Sequence, residues 1–442
     1  MSDYLFMLDN HLDAGQTRAV EGIRQLATSA GMNVWLTGGA MRDMLRGAPI
    51  RDLDFTVEHD ALKVGHALAK SLEGGVVSED PLKRWIELAL PGDVTASVSN
   101  ARTEHYTKPG GKPQIAPATI HADLARRDFT INAIALSLGR GSRGLLVDPV
   151  NGQADLLSRE LRLANPYAFF DDPARLYRLF RFQHSLGFTL LPRTESQLEN
   201  ALLEEYHAAV PAAALVRELR SAVKEGGAPG MIAGLDAHGL LRTLSPALTG
   251  ARLNTAGLTK FEEVAHSVLP SGYPGGWLAF LSVLTEKLNV KDRAAAIRTV
   301  ELTPEETTLW KNLDTRVKTL EGVLGAPRAP RPSQIWEALY SATSDEVLLV
   351  LYRSSAGAVQ DRIQAYYERY LPLSQDVTED DVIAAGAKPG TAKYDKVWRT
   401  LIAAKLNAKP PKPEAESADD EAPTPVVAAA GVGRPRKQPS AI

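Results

Sequence analysis

The sequence predicts an α+β chain in which a head of alternating strands and helices precedes an all-helical remainder. Three observations predict it. Between residues 32 and about 147, short β-rich runs (MNVWLT, RDLDFTV, RWIELAL, VTASVS) alternate with helical stretches such as residues 61–71. After Asp148 the strand signals stop, and helical spacing broken by Pro and Gly takes over to about Leu406. The 442 residues are enough for two to four folding units, and 44% hydrophobic with 23% charged residues is an ordinary globular composition. Within the helical part, GVLGAPRAPRPS (residues 322–333) concentrates Pro and Gly and reads as a linker between two helical subdomains. From about Asn407 the chain is rich in Pro and Ala and poor in large apolar residues, so a disordered tail is expected. Its Gly433-Arg434-Pro435-Arg436-Lys437 cluster reads as a solvated tail end rather than a hook for the DNA minor groove.

Lys and Arg total 50 against 53 Asp and Glu, a net charge of -3, so no positive excess announces nucleic acid. Cysteine is absent, which excludes disulfides, thiolate nucleophiles and cysteine-ligated metals, and leaves oxygen or imidazole ligands for any metal. Neither an export signal nor an apolar run approaching the roughly 20 residues of a spanning helix is visible, so a cytoplasmic protein with no membrane partner is expected.

The stretch LTGGAMRDMLRGAPIRDLDFTV (residues 36–57) joins an apolar strand, a Gly38-Gly39 turn, a short helix and a second strand carrying Asp52-Leu53-Asp54. Alternation along a strand sends both carboxylates to one face and Leu53 to the core. Two adjacent acids repel unless a cation lies between them, and Mg2+ is held by one or two carboxylates plus substrate phosphates. Gly38 and Gly39 leave N–H groups open at a helix start, where phosphate is favoured, and Arg42, one turn on, can reach the same anion. Either feature alone is commonly structural; together in one strand–turn–helix–strand unit they point to phosphoryl transfer. No GxxxxGK[ST] occurs, so this is not a P-loop. The unit resembles the signature of the polymerase-beta nucleotidyltransferase superfamily, which implies a mixed-sheet head of that type with Asp52 and Asp54 as catalytic, metal-binding residues.

DLARRDFTINAIAL (residues 123–136) sets two arginines, an acid, an aromatic and an amide close together. Arg127 can clamp phosphate while Asp128 and Asn132 hydrogen-bond ribose hydroxyls. The run resembles the RRDFTxNA motif of class II tRNA nucleotidyltransferases, a family that includes the bacterial poly(A) polymerases. Residues 148–188 resemble the same family's neck, with DPVNGQADL, then LR, then DDPARLYRLFRF. Asp172, Arg175, Arg178 and Arg181 recur every three residues as a helical stripe, with Leu176, Leu179 and Phe180 on the adjoining face. The resemblance gives Asp172 and Arg175 the choice of base and puts Arg178 and Arg181 in the nucleotide pocket. The chemistry agrees. A carboxylate only accepts and a guanidinium only donates, while C and A both present an exocyclic amino donor beside a ring-nitrogen acceptor and U and G present the opposite.

The resemblance spans about residues 31–245. It implies template-independent addition of C and A, from CTP and ATP, to the 3′ end of tRNA, with Mg2+ as cofactor and no DNA partner. A specialist adding only A or only CC, a poly(A) polymerase, and a catalytically dead RNA-binding protein are the alternatives. The implied organisation is a nucleotidyltransferase head at 1–140, a neck with the nucleotide-recognition helix at 141–245, a helical body and tail binding tRNA at 246–405, and the disordered tail at 406–442. LKRWIE (residues 82–87) lacks the Gly-Arg-Arg run typical of the poly(A) polymerases, which favours tRNA. The loop ARTEHYTKPGGKP (residues 101–113) suits a mobile arm that in the family helps the switch from C to A. Asp171 stands where the family usually has Glu, and Ala214 stands where an Arg often precedes the REL run. Ser97 stands where many relatives place an acid, so a third metal carboxylate has no evident residue. His59-Asp60 reads as a surface turn, and Arg217, Arg220 and Lys224 as phosphate contacts or solvated charges alike.

Overall fold

The computed structural model describes residues 3–270, 275–354 and 357–408, so the 433–437 cluster and nearly all of the expected tail lie outside the described residues. In chain order the first part carries α1 (Asp3–His11), α2 (Ala14–Ala30), β1 (Val34–Thr37), α3 (Gly38–Leu45), β2 (Asp52–Val57), α4 (Ala61–Ser71), β3 (Gly75–Asp80), β4 (Trp85–Leu90) and β5 (Val94–Asn100). It continues with β6 (Arg102–His105), β7 (Gln114–Pro117), α5 (Ile120–Ala125), β8 (Ala135–Ser137) and β9 (Leu146–Val147). Strands β3-β4-β5-β2-β1-β8-β9 form one sheet in that order, mixed because β2 and β5 run parallel while the other neighbours are antiparallel. The register lines up Thr37, Asp54, Ser97 and Glu87 across four strands.

Alternation decides which face is wet. Ile86, Leu88 and Leu90 of β4 and Val94, Ala96 and Val98 of β5 are buried beneath α4, while Ser97 and Ser99 point the other way. Gly65 lets α4 lie close on this sheet, since a Cβ there would stand 2.3 Å from Ile86 Cγ2. Asp60 caps α4, accepting from the Lys63 N–H, and with His59 it forms an exposed turn.

The neck carries α6 (Gly152–Ser158), β10 (Glu160–Leu161), α7 (Ala168–Asp171), α8 (Arg175–Ser185), β11 (Thr189–Leu190), α9 (Pro192–Leu203), α10 (Ala212–Glu225) and α11 (Ala228–Ala237). Leu176, Leu179 and Phe180 of α8 are buried against α10 and α11, as the helical spacing predicts. Then come α12 (Thr255–Val268), α13 (Trp277–Leu284), α14 (Val290–Val300), α15 (Pro304–Leu324), α16 (Pro332–Tyr340), α17 (Ser344–Arg353), α18 (Gly357–Ala365), α19 (Leu371–Gln375), α20 (Glu379–Ala384) and α21 (Ala392–Asn407). Every residue of the apolar α13 is buried, which makes it the axis of this region. Tertiary contacts divide the chain into Met1–Asp376 and a smaller unit from Val377. Among the described residues no helix is long and apolar enough to cross a membrane.

Four local expectations are corrected. Strand β3 lacks alternation because it is an edge strand exposed almost throughout, and β10 pairs with β11 inside the otherwise helical neck. Residues 101–113 are not simply a loop, since β6 pairs with β7 and the Gly110 N–H donates to the Phe170 carbonyl at 3.1 Å. Residues 322–324 are the last turn of α15, and the connection after them joins two helices packed on each other. Helix α21 ends at Asn407, about where the tail is expected to begin.

Candidate active site

Strand β1 ends at Thr37, which caps α3 without a side-chain hydrogen bond, so the first N–H groups of that helix stay open. Gly38 sits at φ +69, and a Cβ there would lie 2.9 Å from Asp54 Oδ2, so only glycine leaves this cradle open. Asp54 Oδ1 accepts from Ser97 Oγ at 2.7 Å. The family's acid position is thus filled by a hydroxyl that orients Asp54, and among the described residues no group of three acids or histidines could hold a metal. Asp52 lies two residues earlier at the exposed end of β2, where desolvation and the Asp54 charge push its carboxyl up. Two adjacent carboxylates over an open glycine cradle fit a hard divalent cation, with Asp52 and Asp54 as its holders. Gly38→Ala is expected to cost about 1–2 kcal/mol in backbone strain and to displace Asp54, lowering activity about tenfold or more; single-turnover kinetics beside a melting curve checks it.

Above this face opens a cavity of about 400 Å3 lined by Gly38, Gly39, Arg42, Asp54, Arg127, Asp128, Asn132, Asp172, Arg175, Arg178 and Arg181. Of the residues that the sequence singles out, Asp52 alone stands outside this lining. The run at 123–136 goes from helix to strand, with a 3-10 turn at Thr130–Asn132 between α5 and β8. Its Arg127 donates to Asp123 at 3.0 Å and to Thr37 and Thr56 at 3.1 and 3.0 Å. Asp123 is fully buried and also binds Arg126 at 2.5 Å and the Arg102 N–H at 3.2 Å. Burial works against its charge, but Arg127 and Arg126 outweigh that and lower its pKa.

Several residues expected to touch ligand are held by other side chains. Arg42 donates to Asp43 at 2.9 Å and to Asn132 Oδ1 at 2.9 Å, so it props Asn132 rather than offering an unattached guanidinium to phosphate. Asn132 Nδ2 donates to Asp128 at 3.1 Å, and Asp128 accepts from Arg178 at 2.9 Å. Arg178 and Arg181 both donate to the buried Glu218, at 3.0 and 2.7 Å. Arg181 goes on to Glu225 at 2.6 Å, Glu225 pairs with Arg51 at 3.1 Å, and Arg51 pairs with Asp43 at 3.7 Å. The links close on themselves, joining α3 and the segment between α5 and β8 to α8 and α10 around the cavity, with the Arg42 and Arg181 guanidiniums both over the Phe182 ring.

Asp172 and Arg175 differ from that frame. Asp172 precedes α8 and is 44% exposed, and its Oδ1 accepts from the Ala174 N–H while Oδ2 stays 4.0 Å from Arg175 Nε. That Nε is buried with no hydrogen-bond partner among the described residues, an orphaned donor beside an open acceptor. The pair can therefore read a donor–acceptor edge.

Burial works against the charges of Asp128 and Glu218, but Arg178 with Arg175, and Arg178 with Arg181, outweigh it and lower both pKa values. Depressed folded values mean stability that is complete above the unfolded values of 3.8 and 4.5 and is lost as pH falls through the folded ones. The urea midpoint is expected to hold down to about pH 5 and to fall progressively below about pH 4.

The sequence reading gave no role to Asp43, Asp123, Glu218 or Glu225. Asp123 was findable, since it lies three and four residues before Arg126 and Arg127 on one helix face. The other partners lie on distant elements. Arg220, read from sequence as a phosphate contact or a solvated charge alike, donates to Glu306 at 2.6 and 2.9 Å and covers the Trp277 ring.

Residues 34–162 match the poly A polymerase head domain. The A-adding tRNA nucleotidyltransferase of Halalkalibacterium halodurans is 29% identical over 88% of each chain. That of Geobacter sulfurreducens is 25% identical over 95% of this chain, which spans 48% of its length. The Thermotoga maritima CCA-adding enzyme complexed with tRNA shares the fold, with a TM-score of 0.55 at 22% identity over 93% of this chain and 96% of that one. The carboxylate strand, the glycine turn and the RRDFT run all lie in the segment that matches the poly A polymerase head domain, and with the arginine helix beside them the chain is a nucleotidyltransferase similar to the tRNA nucleotidyltransferases.

Proposed function

We propose that this protein adds C and A nucleotides, from CTP and ATP, to the 3′ end of tRNA. The observation that carries the reading is the open acceptor of Asp172 beside the orphaned Arg175 donor, at the rim of an arginine-lined cavity whose floor is Asp54. A cytosine or adenine edge satisfies both groups, and a uracil or guanine edge satisfies neither. Buried polar groups left unpaired by the wrong base are what makes such a site selective. The open N–H groups at Gly38 and Gly39 and the guanidinium of Arg127 receive the triphosphate, and Asp52 and Asp54 hold Mg2+. Bound there, the metal would favour ionisation of the tRNA 3′-hydroxyl and stabilise the pyrophosphate leaving group.

Addition of the terminal A alone is the second reading. It is supported by the relative matched over 88% of both chains, which is named an A-adding enzyme. One assay separates the readings: tRNAs ending at the discriminator base, at C and at CC are incubated with Mg2+ and CTP, ATP or both, and the 3′ ends are sequenced. Completion of CCA from the discriminator end supports the first, extension of the CC end alone supports the second, and long A runs on generic RNA mark a poly(A) polymerase. No incorporation on any tRNA sinks the proposal. In the same assay with UTP and GTP added, reversing the charge with Asp172→Arg is expected to reduce the preference for C and A over U and G by about 10²-fold or more, while transfer itself persists at a lower rate.

A further inference from the structure

Helix α7 separates the nucleotide cavity from a second, larger cleft. Asp172 lines the cavity, while the preceding residue, Asp171, lines the cleft, which measures about 790 Å3. Its walls are aromatic, with Tyr106 from beyond β6, Tyr167 and Phe170 from the start of the neck, and Tyr206 after α9. Tyr167 is 68% exposed, and the Phe170 and Tyr206 rings meet edge to face at 5.7 Å. One exposed and three half-buried rings gathered in a concavity offer faces to a flat ligand.

Charge narrows the occupant. The cavity beyond α7 carries seven arginines, whereas the cleft has neither lysine nor arginine and holds two acids, Glu104 and Asp171. A phosphate belongs in the first and is repelled from the second. Glu104 is already engaged by Arg102 and the Tyr106 hydroxyl, each at 2.7 Å. The Asp171 carboxylate and the Asn200 amide make no side-chain hydrogen bond or ion pair among the described residues. The cleft therefore offers ring faces for stacking, an open carboxylate that accepts only, and an amide that does both.

Resting on the tRNA-extending reading above, we propose that this cleft holds an unstacked base of the RNA strand being extended, one whose exocyclic amino group donates to Asp171. Unpaired RNA bases are recognised by stacking on aromatic side chains with hydrogen bonds to their edges. Asp171 and Asp172 then serve two bases from opposite sides of one short helix, the first a base of the strand and the second the incoming nucleotide.

The test uses the full-length protein and tRNA carrying 2-aminopurine at one 3′-terminal position at a time, with fluorescence reporting stacking. One position is expected to be quenched by the wild-type protein. Tyr167→Ala should abolish that response and raise the KM for tRNA about tenfold with kcat little changed, and Tyr167→Phe should restore both. Replacing the responding base by unsubstituted purine should weaken binding to the wild type and leave binding to Asp171→Ala unaltered. Extension of tRNA with no responding position, or with a response that survives Tyr167→Ala, overturns the cleft assignment alone. A wild-type protein that extends no tRNA overturns the transferase reading and this inference with it.

Discussion

The variant Asp52→Ala, Asp54→Ala is expected to lose nucleotide incorporation by about 10³-fold or more while binding tRNA as tightly as the wild type. Transfer of a nucleotidyl group builds charge on the attacking and leaving oxygens, and a metal held by these carboxylates would supply several kcal/mol of the stabilisation that charge needs. Asp54 is already oriented to hold a cation, because Ser97 fixes one of its oxygens and the open space over Gly38 leaves the other accessible. Binding of tRNA is expected to survive because the surfaces that would hold an RNA duplex contact its shape and phosphates elsewhere on the chain. Rapid-quench incorporation and filter binding on the same preparation measure the two properties, and incorporation within tenfold of wild type would remove these residues from the chemistry.

Asp123→Ala is expected to destabilise the larger unit by about 3–5 kcal/mol, the cost of breaking a buried ion pair from one side. The carboxylate is fully buried and serves two guanidiniums and the Arg102 N–H. Its removal leaves Arg127 without its carboxylate partner and Arg126 with Glu104 alone, at 3.3 Å. Asp123→Asn keeps the size and part of the hydrogen bonding, so its loss should be smaller. Urea denaturation compares the three proteins, and a shift under 1 kcal/mol for Asp123→Ala would mean that the arginines find other partners at no cost.

What could be read from sequence was what lies close along the chain. Asp52 and Asp54 sit two apart on one strand, Gly38 and Gly39 open the next helix, and the arginines of α8 recur every three residues; spacing alone reveals these relations. The edge strand β3 escaped because a strand exposed on both faces has no alternation to show. The frame around the cavity escaped for another reason. Glu218 stands 40 residues from Arg178, Asn132 stands 90 from Arg42, and Glu306 stands 86 from Arg220, so no local spacing reveals these pairings. Arg42, Arg178 and Arg181 line the cavity and are at the same time tied to protein groups that spacing does not reveal.

The closed chain of pairs from Arg42 through Asp128, Arg178, Glu218, Arg181 and Glu225 back to Asp43 also bears on how such an enzyme can change. A substitution at any member strands two neighbours, so members can be exchanged only together, and the frame should drift slowly. Asp172 belongs to no such chain. Its carboxylate accepts from the Ala174 N–H and faces one charged neighbour, Arg175, at 4.0 Å, so replacing it disturbs a single charge rather than two. Base preference is thus the feature most easily rewritten in this site, by selection or by an engineer, while the mould that presents the nucleotide stays as it is.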